Sequence, residues 1–163
     1  MALVKPGWIV EAERHIGLRE VPGVANNPTI VLWLTRLKAW WRDDLTAWCG
    51  TYVAECMRAA KLALPTRWYR AKDWLNWGVE LAAPTYGCVV VFNRKGGGHV
   101  GFVVGRDTLG RLLVLGGNQS DAVNIAPFDM ARVAGYRWPS EIKLLRQELP
   151  TVAAVGLSSK NEA

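Results

Sequence analysis

Hydrophobic positions recur at helical spacing in the N-terminal part of the chain. A first helix is predicted over residues 7–18, and Pro22 follows as a stop signal. A second helix is predicted to begin at Asn27 and Pro28, which are typical of a helix start, and to run to about Trp41. Both segments have an apolar stripe, so both are expected to pack on a common core.

The most regular helical pattern begins at Cys49. Its apolar residues fall on one continuous face, formed by Cys49, Tyr52, Val53, Cys56, Met57 and Ala60. Thr46 or Asp44 is the candidate N-cap of this third helix. Cys49 is therefore predicted to lie in the first helical turn, where backbone N–H groups have no partner within the helix.

After Pro84 the pattern changes to β-rich runs separated by turn signals. The predicted strands cover residues 88–93, 99–106 and 111–118, with further short strands at 123–128 and 136–138. Helices followed by strands with short turns predict an α+β fold with an antiparallel meander, not a parallel βαβ fold. Residues 1–147 are expected to form one domain, and residues 148–163 a flexible C-terminal tail.

A predicted hairpin brings two polar residues together. If residues 107–110 form a four-residue loop, Arg106 faces Arg111 and His99 faces Asn118. Opposed residues share a face of the sheet, with Cβ atoms about 4.5–5.5 Å apart, so the Asn118 oxygen is expected to orient the imidazole. Asn118 is alternatively a turn residue with positive φ.

Cys49 is the group that the sequence best supplies to this histidine. The helix dipole and an imidazolium nearby both favour thiolate, so its pKa is expected to be low. A cysteine of this kind beside an oriented histidine can attack a carbonyl carbon. Cys56 and Cys88 are expected to be buried structural residues. Three cysteines without a C-x-x-C motif favour neither a disulfide framework nor a zinc module, and they suggest a reducing compartment.

Composition adds an electrostatic expectation. The 163 residues include 20 Lys and Arg against 14 Asp and Glu, a net charge of +6, which favours an anionic partner. Much of this excess lies between Arg36 and Lys72, around the predicted Cys49 helix. Nine tryptophans are an unusual number, and they are either core residues or exposed stacking surface. Trp40 and Trp41 are expected to pack with the helices.

Two sequence strings carry a family resemblance. TAWCGTYVAECM and the later YGCVVVFNRKGGGHVGFVVGRDTLGRLLVLGGNQSD resemble the CHAP and NlpC/P60 superfamily of papain-like cysteine hydrolases that cut peptidoglycan, over roughly residues 45–121. The preceding WIVEAERHIGLREVPGVANNPTIVLWL is similar to the helical N-terminal part of a phage-associated CHAP-like group. The resemblance implies a papain-like fold, with Cys49 as nucleophile, His99 as general base and then acid, and Asn118 as the residue that orients His99.

Two positions depart from the family pattern. CHAP members often have Glu two residues before the Asn, where this chain has Gly116, so a four-residue site is not expected. NlpC/P60 members usually have Asp where Cys88 stands, a difference expected to affect local packing.

The resemblance implies a cysteine-dependent peptidoglycan hydrolase of the endolysin kind. The expected activity is cleavage of an amide bond in the peptide part of the cell wall, as an endopeptidase, with N-acetylmuramoyl-L-alanine amidase as the alternative. No metal or other cofactor is expected, and the partner is bacterial peptidoglycan. Trp48, Trp74 and Trp77 are candidates for the substrate groove, with core packing as the alternative for each.

Other classes of function stay open. Zinc chemistry requires His15, His99 and a Cys or Asp to converge, because the chain has no H-E-x-x-H motif. A non-catalytic basic module that binds cell wall or nucleic acid is the non-enzyme alternative, although no nucleic-acid-binding motif supports specific recognition. With neither a signal-peptide core nor a membrane-length apolar run, the chain is expected to be made in the cytoplasm and to act on the wall, as a monomer, after release or delivery.

Overall fold

The computed structural model describes residues 2–22, 25–156 and 158–159. Within these residues three α-helices precede a sheet of seven strands. The α-helices are α1 (Gly7–Glu13), α2 (Pro28–Arg36) and α3 (Cys49–Ala59), and 3₁₀-helices lie at Ala71–Asn76 and Met130–Arg132. The strands are β1 (Val79–Leu81), β2 (Val89–Arg94), β3 (Gly97–Asp107), β4 (Leu112–Gln119), β5 (Ala122–Phe128), β6 (Val133–Trp138) and β7 (Thr151–Val152). This mixture of helices and antiparallel strands agrees with the predicted α+β class.

The sheet places β3 near its centre. The strand order is β1-β6-β2-β3-β4-β5, and β7 pairs in parallel with the end of β3. The meander from β2 to β5 therefore follows the prediction, whereas β6 returns to the far side of β2. Helix α3 packs against β3 and β4, so the central strands carry the residues that face Cys49.

The first two helices are shorter than predicted. Helix α1 ends at Glu13 and α2 at Arg36, not at residue 18 and about Trp41. Lys38 adopts a φ of 60°, a left-handed conformation that a continuing helix does not allow. The predicted start of α2 is confirmed, because the Asn27 side chain accepts a hydrogen bond from the Thr29 N–H at 2.8 Å.

Helix α3 is buried through most of its length, and two of its polar side chains, Tyr52 and Glu55, have partners in the core. The Tyr52 hydroxyl donates to the Ala12 carbonyl at 2.6 Å, which ties α3 to α1. The buried Glu55 carboxylate contacts Arg36 at 3.1 Å and Arg58 at 2.7 Å. Because a buried carboxylate is costly without such partners, the two arginines make the position of Glu55 compatible with the core.

Part of the predicted C-terminal tail packs on the sheet. Thr151 pairs with Arg106 of β3, and the Ser159 N–H donates to the Pro127 carbonyl of β5. This differs from the flexible segment expected from residue 148, because backbone groups of the segment complete hydrogen bonds at the sheet. Residues 157 and 160–163 of that segment lie outside the described residues.

Candidate active site

Cys49 is the first residue of α3, as the sequence predicted. The predicted N-caps are wrong, because Trp48 occupies the N-cap position. The Trp48 side chain makes no capping hydrogen bond to the helix. Thr46 instead donates to the Asp43 carboxylate. Asp44 is buried and accepts backbone N–H bonds from the segment that precedes α2. The loop before α3 is thus held by its own acidic residues, and the helix start is fixed by other groups.

Those other groups are Asn118 and Glu20. The Trp48 backbone N–H donates to Asn118 Oδ1 at 3.0 Å. One Glu20 oxygen accepts both the Trp48 indole N–H at 2.8 Å and the Asn118 amide at 3.1 Å. Burial raises the pKa of Glu20, and these two hydrogen bonds oppose that rise. The three residues form a closed triangle that holds the residue before Cys49 in place.

The thiol of Cys49 is enclosed by protein. Only 4% of the residue is exposed, and burial raises its pKa above the ordinary value. The backbone N–H groups of Val100 and Gly50 and the positive charge of Arg94 oppose this rise. The expected low pKa is therefore wrong in sign, because loss of solvation outweighs the helix start and its donors. A thiol in this state needs a base to remove its proton.

His99 lies one residue before the Val100 N–H that faces Cys49. Its ring is fully buried, stacked on Phe128 at 5.3 Å between centroids and on Phe92 of the neighbouring strand at 6.4 Å. Strand β3 thus brings His99 and the surroundings of Cys49 to the same part of the molecule, as the sequence predicted.

Asn118 does not orient His99, which corrects the predicted register. Strands β3 and β4 do pair Phe102 with Leu115, as expected, but a bulge near the hairpin pairs Arg106 with Leu112, not with Arg111. The pairing of β4 with β5 is irregular between Gly116 and Gln119. Asn118 has a φ of 59°, which fits the alternative of a turn residue. The Asn118 side chain bonds the Trp48 N–H and the Glu20 carboxylate.

Gln119 makes the contact that Asn118 was expected to make. Its Oε1 lies 3.0 Å from His99 Nε2. Its Nε2 donates to the Val114 carbonyl at 3.2 Å and to the Asn124 backbone and side-chain oxygens at 2.9 and 2.8 Å. Because these acceptors fix which end of the amide is nitrogen, Oε1 must accept from His99, and the proton of a neutral imidazole resides on Nε2. Nδ1 is then the basic nitrogen.

Gly116 makes room for this amide. A Cβ built at position 116 would lie 2.2 Å from Gln119 Oε1 and 3.3 Å from His99 Nε2. A side chain at that position therefore competes with Gln119 for the same space beside the imidazole. Gly116 is the position at which the family pattern often has Glu, so the amide of Gln119 fills the volume that such a side chain would enter. The sequence contained one signal that Gln119, not Asn118, contacts His99, namely Gly at position 116. It contained no signal for the bulge that turns residue 119 inward.

The three tryptophans proposed for the groove belong to the core. Trp48, Trp74 and Trp77 are 1%, 0% and 6% exposed, which corrects the expectation that they contact substrate. The indole N–H groups of Trp74 and Trp77 donate to the carbonyls of Trp68 and Ala63. These bonds satisfy their polar atoms inside the protein, as burial of an indole requires.

The residues needed for a zinc site do not converge. His15 lies in the turn that follows α1. It contacts Glu11 of α1 at 3.2 Å and lies edge-on to Trp33. Among the described residues, no group of three or more His, Cys, Asp or Glu side chains is arranged to hold a metal ion. In the same part of the chain, no helix is both long and apolar enough to cross a membrane.

This arrangement, a cysteine at a helix start beside a strand histidine held by an amide, is typical of cysteine hydrolases. A family model described as CHAP domain matches residues 41–118, a stretch that holds both Cys49 and His99. The resemblance predicted from the sequence is thereby confirmed, and this part of the chain is consistent with a CHAP/NlpC-P60-like domain. CHAP domains are typically peptidoglycan hydrolase domains, amidases or endopeptidases, so the match suggests a hydrolase of that kind for the matched residues. No curated protein and no solved structure matches the chain significantly.

Proposed function

We propose that the protein is a cysteine-dependent peptidoglycan hydrolase with a papain-like fold, of the endolysin kind, which cuts an amide bond in the peptide part of the wall. The observation that carries this proposal is the position of Cys49, at the start of α3 and against the strand that bears an amide-held histidine. The CHAP match over the same residues supports it.

In the proposed first half-reaction, His99 Nδ1 takes the thiol proton of Cys49 as the sulfur attacks the amide carbonyl carbon. A C–S bond forms, and the carbonyl oxygen becomes an oxyanion that backbone N–H groups in the first turn of α3 stabilise. The imidazolium then gives its proton to the leaving amine as the C–N bond breaks. In the second half-reaction, His99 activates water, which hydrolyses the thioester and restores the thiol.

Gln119 and Asn118 have separate roles in this proposal. Gln119 holds the imidazole in the tautomer that leaves Nδ1 basic. Asn118, with Glu20, holds Trp48 and so the start of the nucleophile helix. Glu20 lies outside the matched residues 41–118, which makes the N-terminal segment part of the site.

The decisive test compares two cysteines of α3. Replacement of Cys49 with Ala is expected to abolish turbidity loss of purified sacculi, because no other group supplies the nucleophile, while Cys56→Ala retains lytic activity and controls for a change in the helix. Circular dichroism and the melting temperature check that both variants fold. Lysis by the Cys49→Ala protein at the wild-type rate would refute the proposal.

An N-acetylmuramoyl-L-alanine amidase of the same fold is the second candidate, because the CHAP group includes both activities and either bond is an amide. Mass spectrometry of digested sacculi separates them. An endopeptidase leaves stem peptides attached to muramic acid and cuts between amino acids, whereas an amidase releases whole stem peptides from the glycan. Activity that survives thiol reagents and is lost to a metal chelator would contradict both candidates.

A further inference from the structure

Four aromatic rings lie next to the candidate active site but are not part of the proposed catalytic group of Cys49 and His99. Trp40 meets Trp41 at 5.3 Å between ring centroids, and Trp41 stacks on Trp68 at 5.9 Å and 27°. Tyr69 meets Trp41 edge-on at 5.3 Å. We call the surface formed by Trp40, Trp41 and Tyr69 the aromatic strip. Trp68 is buried beneath it and fixes the ring of Trp41.

The aromatic strip is exposed to an unusual degree for residues of this type. Trp40, which the sequence placed in helix packing, is 89% exposed, and Tyr69 is 40% exposed. Burial of one large apolar side chain contributes roughly 1.5–3 kcal/mol, and the strip forgoes much of this. Contiguous apolar surface of this kind marks a binding site more often than isolated exposed residues do.

Two glycines connect the strip to the proposed catalytic residues. A Cβ at Gly50, next to Cys49, would lie 2.5 Å from the Trp68 carbonyl oxygen and 3.1 Å from that of Tyr69. A Cβ at Gly98, next to His99, would lie 2.9 Å from the Lys72 side chain. The segment from Trp68 to Lys72 therefore runs from the neighbour of Cys49 to the neighbour of His99. The aromatic strip begins at the rim of the site.

The charges beside the strip favour a partner that carries carboxylates. Lys38, Arg42 and Arg70 are exposed on the same segments as the aromatic rings. The nearby acidic groups are engaged, since Asp73 pairs with Arg67 at 2.7 Å and Asp43 accepts from Thr46. A cationic border around apolar rings suits a polymer with apolar sugar faces and attached anionic groups.

We propose that the aromatic strip is a subsite for the glycan strand of peptidoglycan, with the C–H faces of N-acetylated sugar rings packed on Trp40 and Tyr69. This inference rests on the proposed function, because it takes the same polymer as substrate. It assigns the glycan to the strip and leaves the peptide bond to Cys49. It also supplies wall affinity from the catalytic domain's own surface.

The test measures binding with the Cys49→Ala variant of the whole 163-residue chain, which leaves the polymer uncut. When Trp40→Ala and Tyr69→Ala are added to this variant, its affinity for purified sacculi, measured by co-sedimentation, is expected to fall about tenfold, which corresponds to about 1.4 kcal/mol. Leu109→Ala is the matched control, because Leu109 is 71% exposed at the distant β3–β4 turn. Glycan strands stripped of peptides are expected to displace the Cys49→Ala protein, but stem peptides alone are not.

Several outcomes overturn the subsite. Equal binding by the strip variant and the Leu109→Ala control does so, as does displacement by stem peptides alone or by single-stranded DNA but not by glycan. Light scattering that finds a dimer dissolved by Trp40→Ala would assign the strip to a second copy of the chain. Failure of the proposed function is distinguishable, because it appears as lack of cleavage by the wild type whether or not glycan binding depends on the strip.

Discussion

Helix α3 contains two buried cysteines whose surroundings differ sharply. Cys49, in its first turn, lies against the Val100 N–H and near the positive charge of Arg94. Cys56, two turns later, is also buried, and the carboxylates of Glu11 and Glu55 add to burial in raising its pKa well above the ordinary value. Burial disfavours the thiolate at both positions. The Tyr52 hydroxyl opposes the rise in pKa at Cys56, whereas Cys49 has the backbone N–H groups of Val100 and Gly50 together with a cation.

The comparison shows that position on the helix, more than burial, separates a candidate nucleophile from a structural thiol. The helix N-terminus supplies unpaired N–H groups, whereas the middle of the helix supplies none. On this account Cys49 owes its chemistry to its neighbours. Loss of those neighbours is expected to make Cys49 behave more like Cys56.

The largest effect is expected in thiol labelling. Under native conditions at pH 8, iodoacetamide is expected to alkylate Cys49 about 100-fold faster than Cys56, because thiolate formation is opposed more strongly at Cys56. Mass spectrometry of tryptic peptides gives both rates from one sample. Unfolding in guanidinium is the control, since the two rates are then expected to converge. Equal native rates would remove the basis of the comparison.

The next effect concerns the base that Cys49 requires. Replacement of Gln119 with Met keeps the volume but removes the acceptor for His99 Nε2, and kcat is expected to fall about 100-fold. The Val114 and Asn124 oxygens also lose their donor, so the melting temperature is expected to fall. The value of kcat is therefore compared well below the transition, where an unchanged alkylation rate of Cys56 separates a loss of positioning from a loss of structure.

A second variant sharpens the assignment of Gln119. A carboxylate at this position would face the Val114 and Asn124 oxygens that now accept from the amide, so Gln119→Glu is expected to cost stability. Where it folds, its negative charge stabilises the imidazolium, and the acidic limb of the pH–rate profile moves to higher pH. A normal kcat in Gln119→Met, together with a large loss in Asn118→Ala at unchanged stability, would return the orienting role to Asn118.

Much of the site was predictable because its residues lie on regular elements. The apolar face of α3 fixed Cys49 at a helix start, and strand alternation with a turn signal placed His99 on β3. The inner pairs of β3 and β4 also agree with the predicted register, although the predicted pair at the turn does not, because a bulge shifts the ladder by one residue there. The CHAP match then agreed with the resemblance of the same strings.

The remaining parts depended on irregular backbone. A bulge is not encoded by hydrophobic alternation, so the exchange of Asn118 for Gln119 beside His99 was missed. Burial of Trp48, Trp74 and Trp77 was equally open, since an indole suits a core and a surface alike. The sign of the Cys49 pKa shift was wrong because spacing reveals the helix dipole but not the extent of desolvation.

Cys88 extends the comparison to a thiol on the sheet side of the core. Burial raises the pKa of Cys88 to about 12. Because the folded pKa lies above the unfolded value of about 8.5, the associated stability is complete below pH 8.5 and is lost as the pH rises toward 12. At pH 10 this loss amounts to about 2 kcal/mol.

The measurement is the free energy of unfolding at pH 8 and pH 10 in reducing buffer. Between pH 8 and pH 10, wild type is expected to lose about 2 kcal/mol more stability than Cys88→Ala does. The cavity left by the substitution destabilises the variant equally at both pH values and so cancels from this difference. Cys49→Ala is the control, and a smaller difference is expected there because N–H donors and Arg94 oppose the effect of burial. An identical alkaline loss in wild type and Cys88→Ala would contradict the buried-thiol account.

The smallest effect is expected from the cation beside Cys49. Arg94→Gln removes a positive charge that lowers the pKa of the thiol, so the pKa is expected to rise further and the rate of native alkylation at pH 8 to fall about threefold. The matched control is Lys95→Gln, an exposed neighbour on the same hairpin that carries the same charge. High salt is expected to lower the alkylation rate of wild type toward that of Arg94→Gln, because screening weakens the effect of the Arg94 charge on the thiol. Equal rates in Arg94→Gln and Lys95→Gln would mean that backbone donors alone distinguish Cys49 from Cys56.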